Sequence, residues 1–263
     1  MSAAPRPRDG GVALLVAAAL TLSSAPRPVV GQEAACPTPE GFGAFEAPLP
    51  RTAKGLARGK EVVIVILGGS SSLGTAAGGL SHSWPSRLAV ALAGRFPAAR
   101  IKVVNLAKPR QTAREAVDRL AREVLPLKPT LVVWETGTME AVYGTGVDGL
   151  RETVQAGLDE LHAAAIEVVL MNPQFSRDAD TMIHFAPYLG AVRELADANE
   201  VPVFHRYGLM RRWAESGVLD LRTRESEDRR RLAARLYDCI GRALADFVVR
   251  GGAAGEPPPG RRP

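Results

Sequence analysis

Residues 61–74 read EVVIVILGGSSSLG, and this stretch decides the architecture. The first seven form an almost unbroken β-branched and aliphatic run, the pattern of a strand buried on both faces. Such a strand needs cover above and below it. Gly68-Gly69-Ser70-Ser71-Ser72-Leu73-Gly74 then end the run in a tight turn. A serine in a glycine-rich strand-to-helix turn can present its hydroxyl, and the backbone N–H groups there can meet an anion. A phosphate loop and a plain turn are the other readings. Neither a Walker lysine nor a G-x-G-x-x-G is present, which disfavours nucleotide binding.

Outward from this point the alternation repeats. Further strands are expected at 101–105 (IKVVN), 131–135 (LVVWE), 166–171 (IEVVLM) and 201–204 (VPVF). Helical spacing covers 84–96, 112–125, 147–164, 185–198 and 226–249. Five short apolar strands alternating with helices predict a three-layer α/β/α sandwich around a five-stranded parallel sheet. A single domain over 58–250 is expected, after a Pro/Gly-rich extended lead-in at 32–57 and before a Gly/Pro/Arg-rich tail at 251–263 that reads as disordered. Ligands of such sheets sit beyond the carboxyl ends of the strands. The loops to read are therefore 68–83, 106–112, 136–146, 172–182 and 205–228.

Composition narrows the function. With 263 residues, 46% hydrophobic and 23% charged, the chain is globular rather than fibrous or disordered. The formal charge is +5, but the basic residues are scattered and aromatics are only 5%, which argues against a nucleic-acid partner. No apolar run reaches the ~20 residues that span a bilayer. Arg6 and Arg8, then the apolar stretch GVALLVAAALTL at 11–22, then small residues, describe a secretory signal peptide over 1–31. Its removal takes three basic residues and one acidic, lowering the net charge from +5 to +3. Export, periplasmic or extracellular, follows as the expected location.

Export changes how the cysteines read. Cys36 and Cys239 are the only two. With no Cys/His cluster at metal spacing, neither a metal nor a cofactor is implied. An intramolecular disulfide would tie the lead-in to the last helix, worth about 5 kcal/mol by loop-closure entropy. Two unpaired thiols are the alternative.

The order of the loops carries a family resemblance. Gly68-Gly69-Ser70-Ser71-Ser72 matches a G-[DS]-S-x-[ST] turn after the first strand. Val103-Val104-Asn105 matches a second block, and Val133-Trp134-Glu135-Thr136-Gly137-Thr138 the lead into G-x-N-D. A final D-x-x-H block falls on Asp228 to Arg231, with Tyr237 and Cys239 anchoring the register. Over residues 49–249 the sequence thus resembles the SGNH/GDSL hydrolases, secreted bacterial members especially. The resemblance implies their flavodoxin-like fold and hydrolysis of acyl or acetyl esters on a small-molecule or glycan substrate. Ser70 would be the nucleophile and Asp228 the triad acid. The oxyanion and binding positions fall on Gly69, Ser71, Arg110, Gly137, Met139 and Arg231.

The departures from that pattern are severe. Arg231 stands at the triad histidine and stays protonated, so it is no general base. Met139 stands at the oxyanion asparagine and donates no hydrogen bond. The glycine of the second block falls near Arg110, next to Pro109. Losing an oxyanion donor lowers turnover about 10²–10³-fold, and losing the base roughly 10⁴–10⁶-fold. Either an impaired esterase or a non-catalytic descendant is expected, the latter binding a glycan, acyl or anionic ligand in the old cleft.

Four histidines could substitute. His82 reads as a solvated loop residue, His162 as a helix C-terminal residue and His184 as a surface residue. His205 directly follows the fifth strand and is the best-placed substitute base; a histidine hydrogen-bonded at a strand end is the other reading. Arg231 either faces Ser70 to hold an anion or belongs to the solvated helix start at 225–231, with Ser226 as N-cap. Glu135 and Glu140 could do acid/base work, against a strand-end charge pairing with a nearby arginine.

Overall fold

The alternation in EVVIVIL becomes two cores. Val62, Ile64 and Ile66 enter one buried cluster, and Val63, Val65 and Leu67 another. The split recurs with Leu131 and Val133 against Val132 and Trp134, and with Val169 and Met171 against Val168 and Leu170. This computed structural model describes Met1 and residues 36–39, 42, 47–221 and 226–253. The expected signal peptide and its cleavage site (Met1 apart), residues 32–35, 40–41 and 43–46 of the lead-in, and the tail from 254 lie outside the described residues.

In chain order the elements are α1 (Pro50–Ala57), β1 (Glu61–Leu67), α2 (Trp84–Arg95), β2 (Arg100–Asn105), α3 (Ala113–Val117), β3 (Leu131–Glu135), α4 (Thr138–Tyr143), α5 (Val147–Ala163), β4 (Glu167–Met171), α6 (Arg177–Met182), α7 (Ala186–Ala198), β5 (Val203–Phe204), α8 (Arg206–Glu215) and α9 (Ser226–Ala253). The sheet is fully parallel in the order β2-β1-β3-β4-β5. Helices α1, α2, α8 and α9 cover the first core, and α3, α5 and α7 the second. The chain runs from β1 outward to β2 and then returns to β3 on the other side of β1. The crevice where ligands bind in such sheets therefore opens between the ends of β1 and β3.

Several boundaries differ from the sequence reading. Residues 50–57 form a helix, not extended chain. Glu167, at the start of β4, accepts from the Arg51 and Thr52 N–H groups (2.6 and 2.9 Å) and the Thr52 hydroxyl (2.6 Å), satisfying the helix start from 115 residues away. The helix expected over 112–125 begins on a Thr112/Glu115 capping box, but relaxes into a π turn at Leu120–Val124 and a 3₁₀ turn at Leu125–Leu127 holding Pro126. Helix α8 occupies part of the expected 205–228 loop, burying Leu209, Met210 and Trp213. Helix α9 continues past 249 to Ala253, so 251–253 belong to the fold rather than to the tail.

Cys36 and Cys239 are joined by a disulfide with their Cα atoms 5.6 Å apart. Beside it, the Trp213 indole N–H donates to Pro37 O (2.8 Å), and Phe42 meets Phe204 edge-to-face at 5.5 Å. Cys36, Pro37 and Phe42 thus fasten this end of the described chain to α9, α8 and β5.

Candidate active site

The β1 turn is built for close approach. Ser72 N–H donates to Gly69 O (3.1 Å) and Gly74 N–H to Ser71 O (3.2 Å). A Cβ on Gly68 would fall 2.6 Å from Ser72 Oγ and 2.8 Å from Glu135 Oε2, so only glycine lets the turn reach β3. Gly74 has φ +70°, and a Cβ there would meet Gly79 O at 2.3 Å. The result exposes Ser70 and buries Ser71 and Ser72.

Beneath Ser70 lies a polar network that the sequence reading did not assemble. Glu135, at the end of β3, accepts from Ser71 Oγ (3.0 and 3.1 Å) and from Ser72 Oγ (2.8 Å). Arg206, fully buried at the start of α8, donates to Glu135 Oε1 (2.9 Å) and to Ser71 Oγ (3.1 Å). Burial alone would raise the Glu135 pKa; the Arg206 charge and the hydrogen bonds from Arg206, Ser72 and Ser71 outweigh it and hold the carboxyl below its ordinary range. Burial, with the Glu135 charge behind it, pushes the nearby Tyr237 hydroxyl up to about 12, Arg206 opposing. Glu135 is therefore a neutralised anion and a poor base. Its carboxylate fixes two of the three serines through hydrogen bonds.

The remaining sequence candidates scatter. Asp228 and Arg231 lie on the first turns of α9, where the Arg231 guanidinium pairs with Glu227 (2.9 Å) and with Asp228 of its own helix. Both are solvated, so Arg231 does not turn toward Ser70. His205 caps α8 three strand positions from β1, roughly 14 Å at ~4.8 Å per strand. Desolvation and the Arg193 charge lower its pKa, Asp197 opposing, and these neighbours belong to α7. Among the described residues no hydrogen bond joins His205 or any other group to the Ser70 hydroxyl. The next residue, Arg206, is the one that turns inward.

Gly137 has φ +84° and starts α4, placing half-buried Met139 and buried Glu140. Glu140 accepts the Ala113 N–H at 2.6 Å, so it caps α3 rather than facing a substrate. Gly69 leaves open space beside Glu135, the nearest atom to a Cβ there being 4.0 Å away. Arg110 is exposed with φ 55°, a left-handed conformation suited to glycine and held here by arginine. His82 is exposed and shares a hydrogen bond with Ser81 Oγ (3.0 Å). A separate groove of about 310 Å³, lined by Leu49, Arg51, His162, Glu167 and Glu200 among others, lies at the amino-terminal ends of β4 and β5. Among the described residues no cluster of three metal-ligating side chains occurs, and no helix is long and apolar enough to cross a membrane.

A parallel sheet in this order, with a serine turn at the β1/β3 crevice and helices on both faces, defines an SGNH/GDSL-like hydrolase fold. The chain belongs to the non-GDSL lipase-like family, whose pattern matches residues 35–254. Among solved structures it is similar to a lipolytic-type protein of the G-D-S-L family from Desulfitobacterium hafniense, at 18% identity and TM-score 0.52, covering 71% of this chain and 99% of that one. A lipase/acylhydrolase from Enterococcus faecalis matches at 20% identity and TM-score 0.52, covering 68% and 95%. A two-domain esterase active on acetylated mannans matches at 16% identity and TM-score 0.62, covering 81% of this chain but 56% of that one. These likenesses carry the fold. No curated protein matches the sequence.

Proposed function

We propose that this chain is an exported member of its lipase-like family in which the Ser70 face binds a ligand, and in which hydrolysis by the serine–histidine route has been lost. The observation that carries this reading is that, among the described residues, no hydrogen bond reaches the Ser70 hydroxyl, while Arg231 is taken up by Glu227 and Asp228 on the surface of α9. A serine hydroxyl without a base is a weak nucleophile. The disulfide between Cys36 and Cys239 supports export to an oxidising compartment.

A second reading keeps residual hydrolysis of acyl or acetyl esters, including those on glycans. It is favoured by the exposure of Ser70 and by neighbours such as the esterase active on acetylated mannans. Hydrolysis of p-nitrophenyl acetate by the mature chain and by Ser70→Ala separates the two. Equal, near-background rates are expected. A wild-type rate abolished by Ser70→Ala would overturn the binding reading in favour of a serine esterase.

A further inference from the structure

Two guanidinium groups, one on the loop after β2 and one on α9, lie near the Ser70 turn, and among the described residues neither has a carboxylate partner. Lys108 N–H donates to Gly68 O at 2.9 Å. With its amide oriented to satisfy both neighbours, Gln111 Nε2 donates to the same oxygen at 2.9 Å and its oxygen accepts from Arg119. Arg110 lies between these two anchors in sequence, exposed, on a loop that is tied to Gly68, two residues before Ser70. From the other side, Arg230 of α9 lies over Gly78, whose Cβ would stand 3.3 Å from Arg230 Nε. The Gly78 loop is tied back to the serines, Gly79 N–H donating to Gly74 O (2.9 Å) and Gly74 N–H to Ser71 O (3.2 Å).

The acids nearby are already engaged. Arg206 neutralises Glu135, and Arg231 takes up Glu227 and Asp228. Among the described residues Arg110 and Arg230 make no ion pair, and the Ser70 hydroxyl and N–H make no hydrogen bond. The exposed groups around the turn are therefore hydrogen-bond donors: Ser70 after β1, Arg110 on the loop after β2 and Arg230 on α9.

We propose that the Ser70 face takes its ligand through a compact anionic oxygen group, a carboxylate, sulfate or phosphate, held between Arg110 and Arg230 with Ser70 as a further donor. Guanidinium forks recognise such planar or tetrahedral oxyanions bidentately, which a triad histidine does not. The proposal rests on the reading that the Ser70 face binds rather than hydrolyses.

The test follows the backbone amide signals of Ser70, Ser71 and Gly78 in the full mature chain. The probes are sodium phosphate, sodium sulfate, sodium glucuronate and neutral methyl glucoside at constant ionic strength. Saturable shifts are expected with at least one anion and none with the glucoside; phosphate against glucuronate then tells a phosphoryl from a carboxylate ligand. Arg230→Gln and Arg110→Gln should each weaken binding about tenfold or more, while Arg58→Gln, before the amino end of β1, should leave it unchanged. Absence of saturation up to about 50 mM, or wild-type titration by both arginine variants, overturns the proposal. Failure of the underlying reading looks different: ester turnover abolished by Ser70→Ala, measured on the same samples.

Discussion

Arg206 reaches past β4 to donate to Glu135 at 2.9 Å, a buried ion pair that spans two strand positions of the sheet. It joins the end of β5 to the end of β3 and, through Ser71, to the turn after β1. Removing one partner leaves an uncompensated buried charge, which destabilises by about 3–5 kcal/mol. Arg206→Met is therefore expected to lower the thermal midpoint sharply, more than Arg206→Met combined with Glu135→Leu. Thermal melts of the three proteins by circular dichroism check this.

The same pair sets a pH dependence. Glu135 has a folded pKa below its unfolded value, so its contribution to stability is fully present above the unfolded carboxylate range and is lost as pH falls through the folded pKa. In Arg206→Met only the Ser71 and Ser72 hydrogen bonds oppose burial, the largest influence on this carboxyl, so its pKa rises and that contribution reverses sign. The variant's deficit relative to wild type should shrink as pH falls from 7 into the acid range, measured by urea unfolding at each pH.

Two helical glycines, Gly157 and Gly241, are held by close packing, while two others, Gly149 and Gly208, have open space. A Cβ at Gly157 would lie 2.5 Å from the Trp134 ring, and one at Gly241 would lie 2.5 Å from Arg87 Cβ and 2.8 Å from Leu88 N. Alanine at either should cost about 1–3 kcal/mol by overpacking. Gly149 and Gly208 are helical with nothing within 4 Å, and alanine there should stabilise by up to about 1 kcal/mol. Chemical denaturation of the four variants separates the classes.

Helices α5 and α7 each end on a left-handed residue that is not glycine. Ala165 has φ 55° and Glu200 φ 53°, and the amides that follow them close back onto Leu161 O and Ala196 O. Glycine at either position should relieve about 1 kcal/mol of strain, partly offset by a freer unfolded chain. A raised urea midpoint with an unchanged slope is the expected result.

Placing a histidine at Arg231, where the resemblance aligns the triad histidine, should not create an esterase. Arg231 occupies an exposed helical position facing Glu227 and Asp228, so Arg231→His, alone or with Met139→Asn, presents its imidazole to solvent. Hydrolysis of p-nitrophenyl acetate is expected to stay at background. A new rate that also requires Ser70 would show that this helix start can rearrange.

The sequence reading recovered the sheet because strand burial is a local property of runs such as EVVIVIL and LVVWE. It lost α1 because that helix start is satisfied by Glu167, 115 residues downstream, through contacts that leave no local trace. Its reading of Glu135 as the partner of a nearby arginine named no arginine. The partner proved to be Arg206, one residue beyond the histidine chosen as a substitute base. Neighbouring side chains at a strand-to-helix junction diverge, and which one turns inward depends on where the helix begins. The signal for α8 was nevertheless present: Leu209, Met210 and Trp213 share a helical face.

The ends of the sheet carry a consequence for how copies of this chain behave in a crowded compartment. An open parallel sheet has two lateral edges, each a template for pairing with another molecule. Here β5 offers only Val203 and Phe204, preceded by Pro202, while β2 presents exposed Arg100 and Lys102. A two-residue strand gives too little ladder for an incoming strand, and a cationic border repels an identical one. The protein is thereby guarded against edge-to-edge polymerisation by the strands themselves.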